Sequence, residues 1–281
     1  MNGVPQYFDH VADRAAFKRP PHRAGVELYQ AHIVRHAFEP HTHDAYGLGA
    51  IEAGVERFRY RGADHLAPPD SLVLMNPDEL HTGRAETVQG WRYRMVYLDA
   101  DVLEAVSGER GWWFAEAVGH DASRARRVGR LLQALWACDD ALAFDSRLAL
   151  LIDELRPAAR VGRALPAGTR PPRFAPVLEF MRAQLGETLA LEALAAVAGL
   201  SPFHFLREFK RAHHVTPQQM LMALRLFDAK QRLAAGEAPA AVAAASGLTD
   251  QAHLTRAFVR RYGVTPGRYQ QQLGTRPRRA A

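Results

Sequence analysis

The strongest constraint on this chain is a sentence written twice near its C-terminal end. "GLSPFHFLREFKRAHHVTP" begins at Gly199, and "GLTDQAHLTRAFVRRYGVTP" begins at Gly247, forty-eight residues later. A small apolar helix precedes each copy, "LEALAAVAGL" over 191–200 and "AAVAAASGL" over 240–248. Ala195 and Ala243 stand four places before the glycines, where a small side chain lets a second helix cross closely. Gly199 and Gly247 permit the left-handed turn between the two helices. Ser201 with Pro202, and Thr249 with Asp250, then supply a helix cap and start. Phe205 and Phe209, like Leu254 and Phe258, are spaced i, i+4 and form an inward face. Each copy closes on Thr-Pro (Thr216–Pro217, Thr265–Pro266), another cap and helix start.

The opposite faces carry the chemistry. At about 100° per residue, Arg207 lies about 200° from Phe205 and Arg256 about 200° from Leu254, so both arginines point away from the core. The pattern describes two helix-turn-helix units, each presenting a second helix with an outward arginine. Such a helix fits the major groove of B-DNA, where arginine makes a bidentate contact to guanine. Between the units, "QQMLMALRLFDAKQRLAAG" (218–236) reads as one helix of ~18 residues and about 27 Å. A strut of that length holds two reading helices about one DNA turn apart, roughly 34 Å.

Charge follows the same division. Residues 171–281 carry 15 Lys plus Arg against 7 Asp plus Glu, whereas 1–170 carry 21 against 23. The basic third points to a polyanionic partner. Cys138 is the single cysteine, which excludes an intrachain disulfide and a Cys-rich zinc site. No run of 18 apolar residues predicts a membrane span, and "MNGVPQYFDH" lacks a secretory signal, so a cytoplasmic location is expected.

Before the basic third, "RFRYRG" (57–62), "SLVLMN" (71–76) and "RYRMVYL" (92–98) are short strand patterns in a stretch from Val26 to Leu98, suggesting a small β-barrel or sandwich. After Asp99 the period becomes helical. Val128, Leu131, Leu132 and Leu135, then Leu148, Leu151, Ile152 and Leu155, form two apolar stripes that cover the barrel or pair with a second copy. Residues 156–173 contain four prolines and two glycines and read as a linker. The expected organisation is α+β, with a strand-rich domain ending in two helices over 1–155, a linker over 156–173, and an all-α DNA-binding domain over 174–281.

Residues 174–273 resemble the C-terminal DNA-binding domain of the AraC/XylS family of bacterial transcription regulators, on "LEALAAVAGLSPFHFLREFK" and "GLTDQAHLTRAFVRRYGVTPGRY". The resemblance implies seven helices, the third and sixth being readers. It places Phe203, Leu206 and Arg207 on the first reader, and Gln251, Ala252, Thr255 and Arg256 on the second. Phe203 and Leu206 depart from the commoner polar pattern and are suited to thymine methyls or to local packing. Lys210, Arg211, Arg260 and Arg261 lie toward helix ends, where phosphate contacts are expected. The terminal "TRPRRAA" reads as a basic tail that adds non-specific affinity.

"FEPHTHDAYGLGAIEAG" and "APPDSLVLMNPDELHTGRA" resemble the family's sensor domain, a small cupin-like barrel, which implies an effector-sensing and dimerisation role for 1–155. His41, His43 and His81 fall where a cupin holds a metal. The metal-binding pattern also expects a Glu soon after the second histidine; here the region reads "AYGLG", and the next Glu is Glu52. The expectation is therefore no cofactor, with these histidines lining an effector pocket that Tyr46, Trp91 and Tyr93 wall with aromatic surface. Cys138 lacks a neighbouring base and reads as a buried inert thiol. No nucleophile–base arrangement, phosphate loop or carboxylate pair stands out, so no enzyme is expected; the rival is a metal-dependent cupin activity tethered to the DNA-binding half. Expected partners are double-stranded DNA, a small-molecule effector, a second copy through helices 123–156, and RNA polymerase.

Overall fold

The computed structural model describes residues 11–162 and 173–275. They divide into two compact units, one holding the described residues of Tyr7–Phe38 and His43–Leu165, the other those of Pro166–Ala281 together with Glu39–Thr42. The tail over 276–281 and most of the expected linker lie outside the described residues. Arg156–Ala158 forms a short 3-10 turn at the linker's start.

The first unit is built from β1 (Arg14–Lys18), β2 (Val26–Ile33), β3 (Ala37–His41), β4 (Tyr46–Gly54), β5 (Glu56–Tyr60), β6 (Ala63–Ala67), β7 (Leu72–Met75), β8 (His81–Ala85), β9 (Trp91–Leu98) and β10 (Val118–Gly119). A six-stranded sheet runs β1-β2-β9-β4-β7-β10, and a four-stranded sheet runs β3-β8-β5-β6. β2 and β4 both pair antiparallel with β9, for example Tyr29↔Met95 and Gly49↔Met95. The expected barrel is thus two sheets, and no ladder joins them among the described residues. They meet through side chains instead. Phe38 of β3 packs edge-on to Trp91 of β9 at 6.2 Å.

Both faces of the larger sheet are covered, which decides where each side chain goes. Leu28, Leu48, Ala50, Val96 and Leu98 face α2 (Ala122–Trp136) and α3 (Ala141–Leu155). Asp121 and Asp140 cap these helices by accepting from the amides of Arg124 and Ala143. Val128, Leu132, Leu135, Leu148, Leu151, Ile152 and Leu155 are all buried, as their spacing predicts, while Leu131 packs only partly. Gly129 brings α2 close to β4, since a Cβ there would stand 3.8 Å from Ala50. Strand patterning did not reveal β1, β10 or the short α1 (Ala100–Ser107).

The second unit contains α4 (Ala175–Ala183), α5 (Leu191–Val197), α6 (Pro202–His213), α7 (Pro217–Ala234), α8 (Pro239–Ala245), α9 (Gln251–Tyr262) and α10 (Pro266–Leu273). These are the seven helices expected. The central strut α7 has 18 residues, about 27 Å. It starts with a full capping box between Thr216 and Gln219. Among the described residues, no helix is long and apolar enough to cross a membrane.

Candidate nucleic-acid interface and effector pocket

The two repeats fold alike. α5 meets α6 through Gly199 at φ 65°, and α8 meets α9 through Gly247 at φ 66°; both are left-handed, where glycine carries no steric cost. Ala195 and Ala243 are 1% exposed at the helix crossings. Ser201 caps α6 by accepting from the amide of His204. In the second unit the capping group is Asp250, which accepts from the amide of His253 at 2.6 Å, while Thr249 lies before it. Phe205, Phe209, Leu254 and Phe258 are fully buried. Burying those four fixes the rotation of α6 and α9, and with it the residues that face outward.

On α6, Phe203 is 72% exposed and Leu206 38%, and the Arg207 side chain is 63% exposed beside Glu208. On α9, Gln251, Ala252 and Arg256 are exposed, and Thr255 is half-buried with its hydroxyl donating to the Gln251 carbonyl at 2.9 Å. An apolar side chain as exposed as Phe203, on a helix whose core face is already filled, is available for a contact outside the fold. Lys210, Arg211 and Arg260 are exposed. Arg211 is tied to Glu208 at 2.6 Å. Arg261 is a correction to the sequence reading: it is 3% exposed, because α9 turns it inward next to buried Tyr262, so it offers no phosphate contact.

Between the two sheets of the first unit lies a second assembly. Trp91 and Tyr93 stack at 5.5 Å on β9, and Tyr29 of β2 meets Tyr93 edge-on at 5.6 Å. Trp91 Nε1 is buried without a hydrogen-bond partner among the described residues. Glu56 enters from β5, 6% exposed, and Gly83 of β8 leaves it room: a Cβ there would stand 2.9 Å from the carboxylate. Burial pushes the Glu56 carboxyl up to about 8, so it stands protonated at neutral pH as a hydrogen-bond donor. Burial also raises the Tyr93 phenol. His43 stacks on Tyr97 at 4.2 Å and lies 5.4 Å from His81. His41, His43 and His81 are each 7% exposed. Burial holds His81 down at about 4. A separate recess of about 360 Å³ is lined by Arg14, Gln30, His32, Glu52, Arg92 and Arg94 at the edge formed by β1, β2 and β9.

Comparison with known proteins agrees with both halves. The family described as "AraC-like ligand binding domain" matches residues 23–155, and the helix-turn-helix domain family matches 194–272. The MmsAB operon regulatory protein of Pseudomonas aeruginosa is 35% identical over 90% of this chain and 79% of its own length. The chain belongs to the AraC/XylS family of transcription regulators. The HTH-type transcriptional regulator YbfI of Bacillus subtilis is 26% identical over 82% of this chain and 86% of its own. Among solved structures, apo ToxT of Vibrio cholerae superposes with a TM-score of 0.58, 9% identity, and coverage of 89% of this chain and 98% of that one. That likeness is one of fold. As a member of this family the chain is a DNA-binding regulator with a ligand-binding domain, not an enzyme.

Four residues of this AraC-type sensor differ from the sequence reading. Tyr46 pairs with Leu98 and joins Leu48 on the helix-covered face, where its hydroxyl donates to the Trp112 carbonyl at 2.7 Å. It is thereby separated from Trp91 and Tyr93 by the thickness of the sheet. Glu56 and Tyr29 were missed, although both line the interior. Cys138 is half-buried rather than buried; its thiol donates to the Asp140 carbonyl, and Arg147 donates to the sulfur at 2.7 Å.

Proposed function

We propose that this regulator reads two successive major grooves with α6 and α9, under control of a small effector held between the two sheets of its first unit. Phe203, Leu206 and Arg207 form the first reading surface, and Gln251, Ala252, Thr255 and Arg256 the second. Lys210 and Arg260 serve as phosphate contacts. One observation supports the reading: two helices of the same build, each entered through a left-handed glycine and a side-chain cap, present exposed outward faces that carry Arg207 and Arg256. The domain limits 1–155, 156–173 and 174–281 assign each role to its part of the chain.

The effector site is Trp91, Tyr93, Tyr29, Glu56, His43 and His81. Their aromatic surface and uncharged donors suit a small molecule that is largely apolar with a few polar atoms. A ToxT structure holds an unsaturated fatty acid, which makes an apolar organic acid a sensible first compound to screen. The effector shifts DNA binding only by favouring one arrangement of the regulator over another. α3 leaves Leu142 at 77% and Leu150 at 58% exposure, and we assign this stripe to a homodimer contact. The protein acts on chromosomal DNA in the cytoplasm and engages RNA polymerase there.

Selection of a randomised duplex library by the full-length protein tests the reading. Two short enriched blocks about one helical turn apart are expected. One block, or none with and without candidate effectors, would overturn paired reading.

A further inference from the structure

We propose that the six-stranded sheet carries a second binding site, beyond the edge of its covering helices, for a small organic dianion whose two anionic groups are held apart by a short apolar spacer. Strand alternation sends every second residue to the helix-covered face: Val26, Leu28, Gln30 and His32 on β2, and Leu98, Val96, Arg94 and Arg92 on β9. The first two of each set belong to the apolar core under α2 and α3. The last two change character together, because pairing sets Gln30 against Arg94 and His32 against Arg92. β1 extends both rows, with Ala16 opposite Gln30 and Arg14 opposite His32. Long side chains around the small Ala16 leave the recess of about 360 Å³, and no described residue of α2 or α3 lines it.

Three guanidiniums line this recess against one carboxylate. Glu52 of β4 is held by Arg94 Nε at 2.5 Å and by Arg92 Nε at 3.2 Å. Arg94 also donates to the Gln30 side-chain carbonyl at 3.1 Å, which fixes it against the sheet. Among the described residues, the two terminal nitrogens of Arg92 and the whole guanidinium of Arg14 have no protein partner. Asp13, next to Arg14 in the chain, is engaged elsewhere, accepting from the amides of Val34, Arg35 and His36. His32 stands between the two free forks with Nε2 3.2 Å from the Gln89 carbonyl, to which it donates. Arg14, Arg92, Arg94 and Glu52 together leave a net charge of about +2 without a counter-ion from the fold.

The spacing of the free forks selects the ligand. Arg14 and Arg92 stand two strand spacings apart, about 10 Å between Cα atoms, so one anionic group on each fork suits the recess better than two charges on one group. A guanidinium binds carboxylate and phosphate oxygens alike through paired N–H donors, and Ala16 between the forks offers apolar surface to a spacer. Trp91 and Tyr29 point to the opposite face of the same strands, so the sheet separates this recess from the interior effector site. The dianion site therefore stands or falls independently of that site.

The test uses the full-length protein at low ionic strength. Glutarate and trimethylene bisphosphonate are titrated by calorimetry, with acetate as the single-group control. Saturable binding of at least one dianion at submillimolar affinity, weakened by added salt, is expected, and the responding probe identifies the anionic group. Arg14→Gln and Arg92→Gln each weaken it about tenfold or more, whereas Arg59→Gln, an exposed arginine of the other sheet, leaves it unchanged. The dianion also raises the urea midpoint of the first unit followed by tryptophan fluorescence, which places the site in that unit even where a variant fails to fold by circular dichroism. No saturable binding of either dianion, equal affinity for acetate, an unmoved urea midpoint, or affinity unchanged in folded Arg92→Gln overturns the proposal.

Discussion

Replacing Glu56 by glutamine reverses part of the pH dependence of stability in the ligand-binding domain. The folded carboxyl is raised from 4.5 to about 8 by burial, so the folded state holds its proton where the unfolded chain has lost it. Below about pH 4.5 both states are protonated, and Glu56 has no titration penalty. As pH rises toward 8 the unfolded chain gains by ionising, and stability falls; above about 8 the loss is complete. At 1.36 kcal/mol per unit, the loss from this one group is about 3 kcal/mol by pH 7 and on the order of 5 kcal/mol above pH 8. Glutamine keeps the shape and does not titrate. All four tryptophans (Trp91, Trp112, Trp113 and Trp136) lie in the first unit, so tryptophan fluorescence in urea follows that unit alone. The difference in unfolding free energy, Glu56→Gln minus unaltered protein, should rise by several kcal/mol between pH 5 and pH 8.5. A difference that stays constant over that range would falsify the protonated buried carboxyl, whatever the offset between the two proteins.

Arg256→Ala should cost about 1–3 kcal/mol on the best site and relax preference at one or two base pairs, read by competition binding against random duplex. An equal loss on both duplexes would make Arg256 a phosphate contact. Lys210→Ala should weaken all sequences alike and lower the slope of log affinity against log salt by about 1. Gly199→Ala should destabilise the helical unit by about 1–2 kcal/mol through its left-handed backbone, since nothing stands in the way of a Cβ. Gly247→Ala should cost about 1–3 kcal/mol more, because there the added atom meets the Leu185 carbonyl and the Arg225 guanidinium; equal melting shifts by circular dichroism would refute that crowding. Leu150→Glu should convert a dimer to monomers in analytical ultracentrifugation, and a monomeric parent at micromolar concentration would remove the α3 interface.

Almost all of the helical unit was legible in the residues themselves. A cap such as Ser201, a left-handed Gly199 and an i, i+4 pair such as Phe205 and Phe209 act within a few residues, so each announces its geometry without reference to the rest of the chain. Repetition then doubled every signal. Arg261 escaped this logic because it sits at the end of α9, where helical phase leaves a side chain near the boundary between faces and only packing decides.

The strands obeyed a different physics. Alternation along "ERFRY" separates Glu56, Phe58 and Tyr60 from Arg57 and Arg59, yet a glutamate in that pattern reads as solvent-facing until partner strands bury it. Tyr46 shows the same limit. Its sheet is covered on both sides, by helices on one and by the second sheet on the other, so burial does not say which side it takes. The sequence alone therefore determined two helix-turn-helix units and, by resemblance, a ligand-binding half. Only the tertiary structure gathered Glu56, Tyr29 and Trp91 into one interior and set His43 beside His81. A strand's neighbours are fixed by ladders between residues far apart in the chain, and no local pattern carries that pairing.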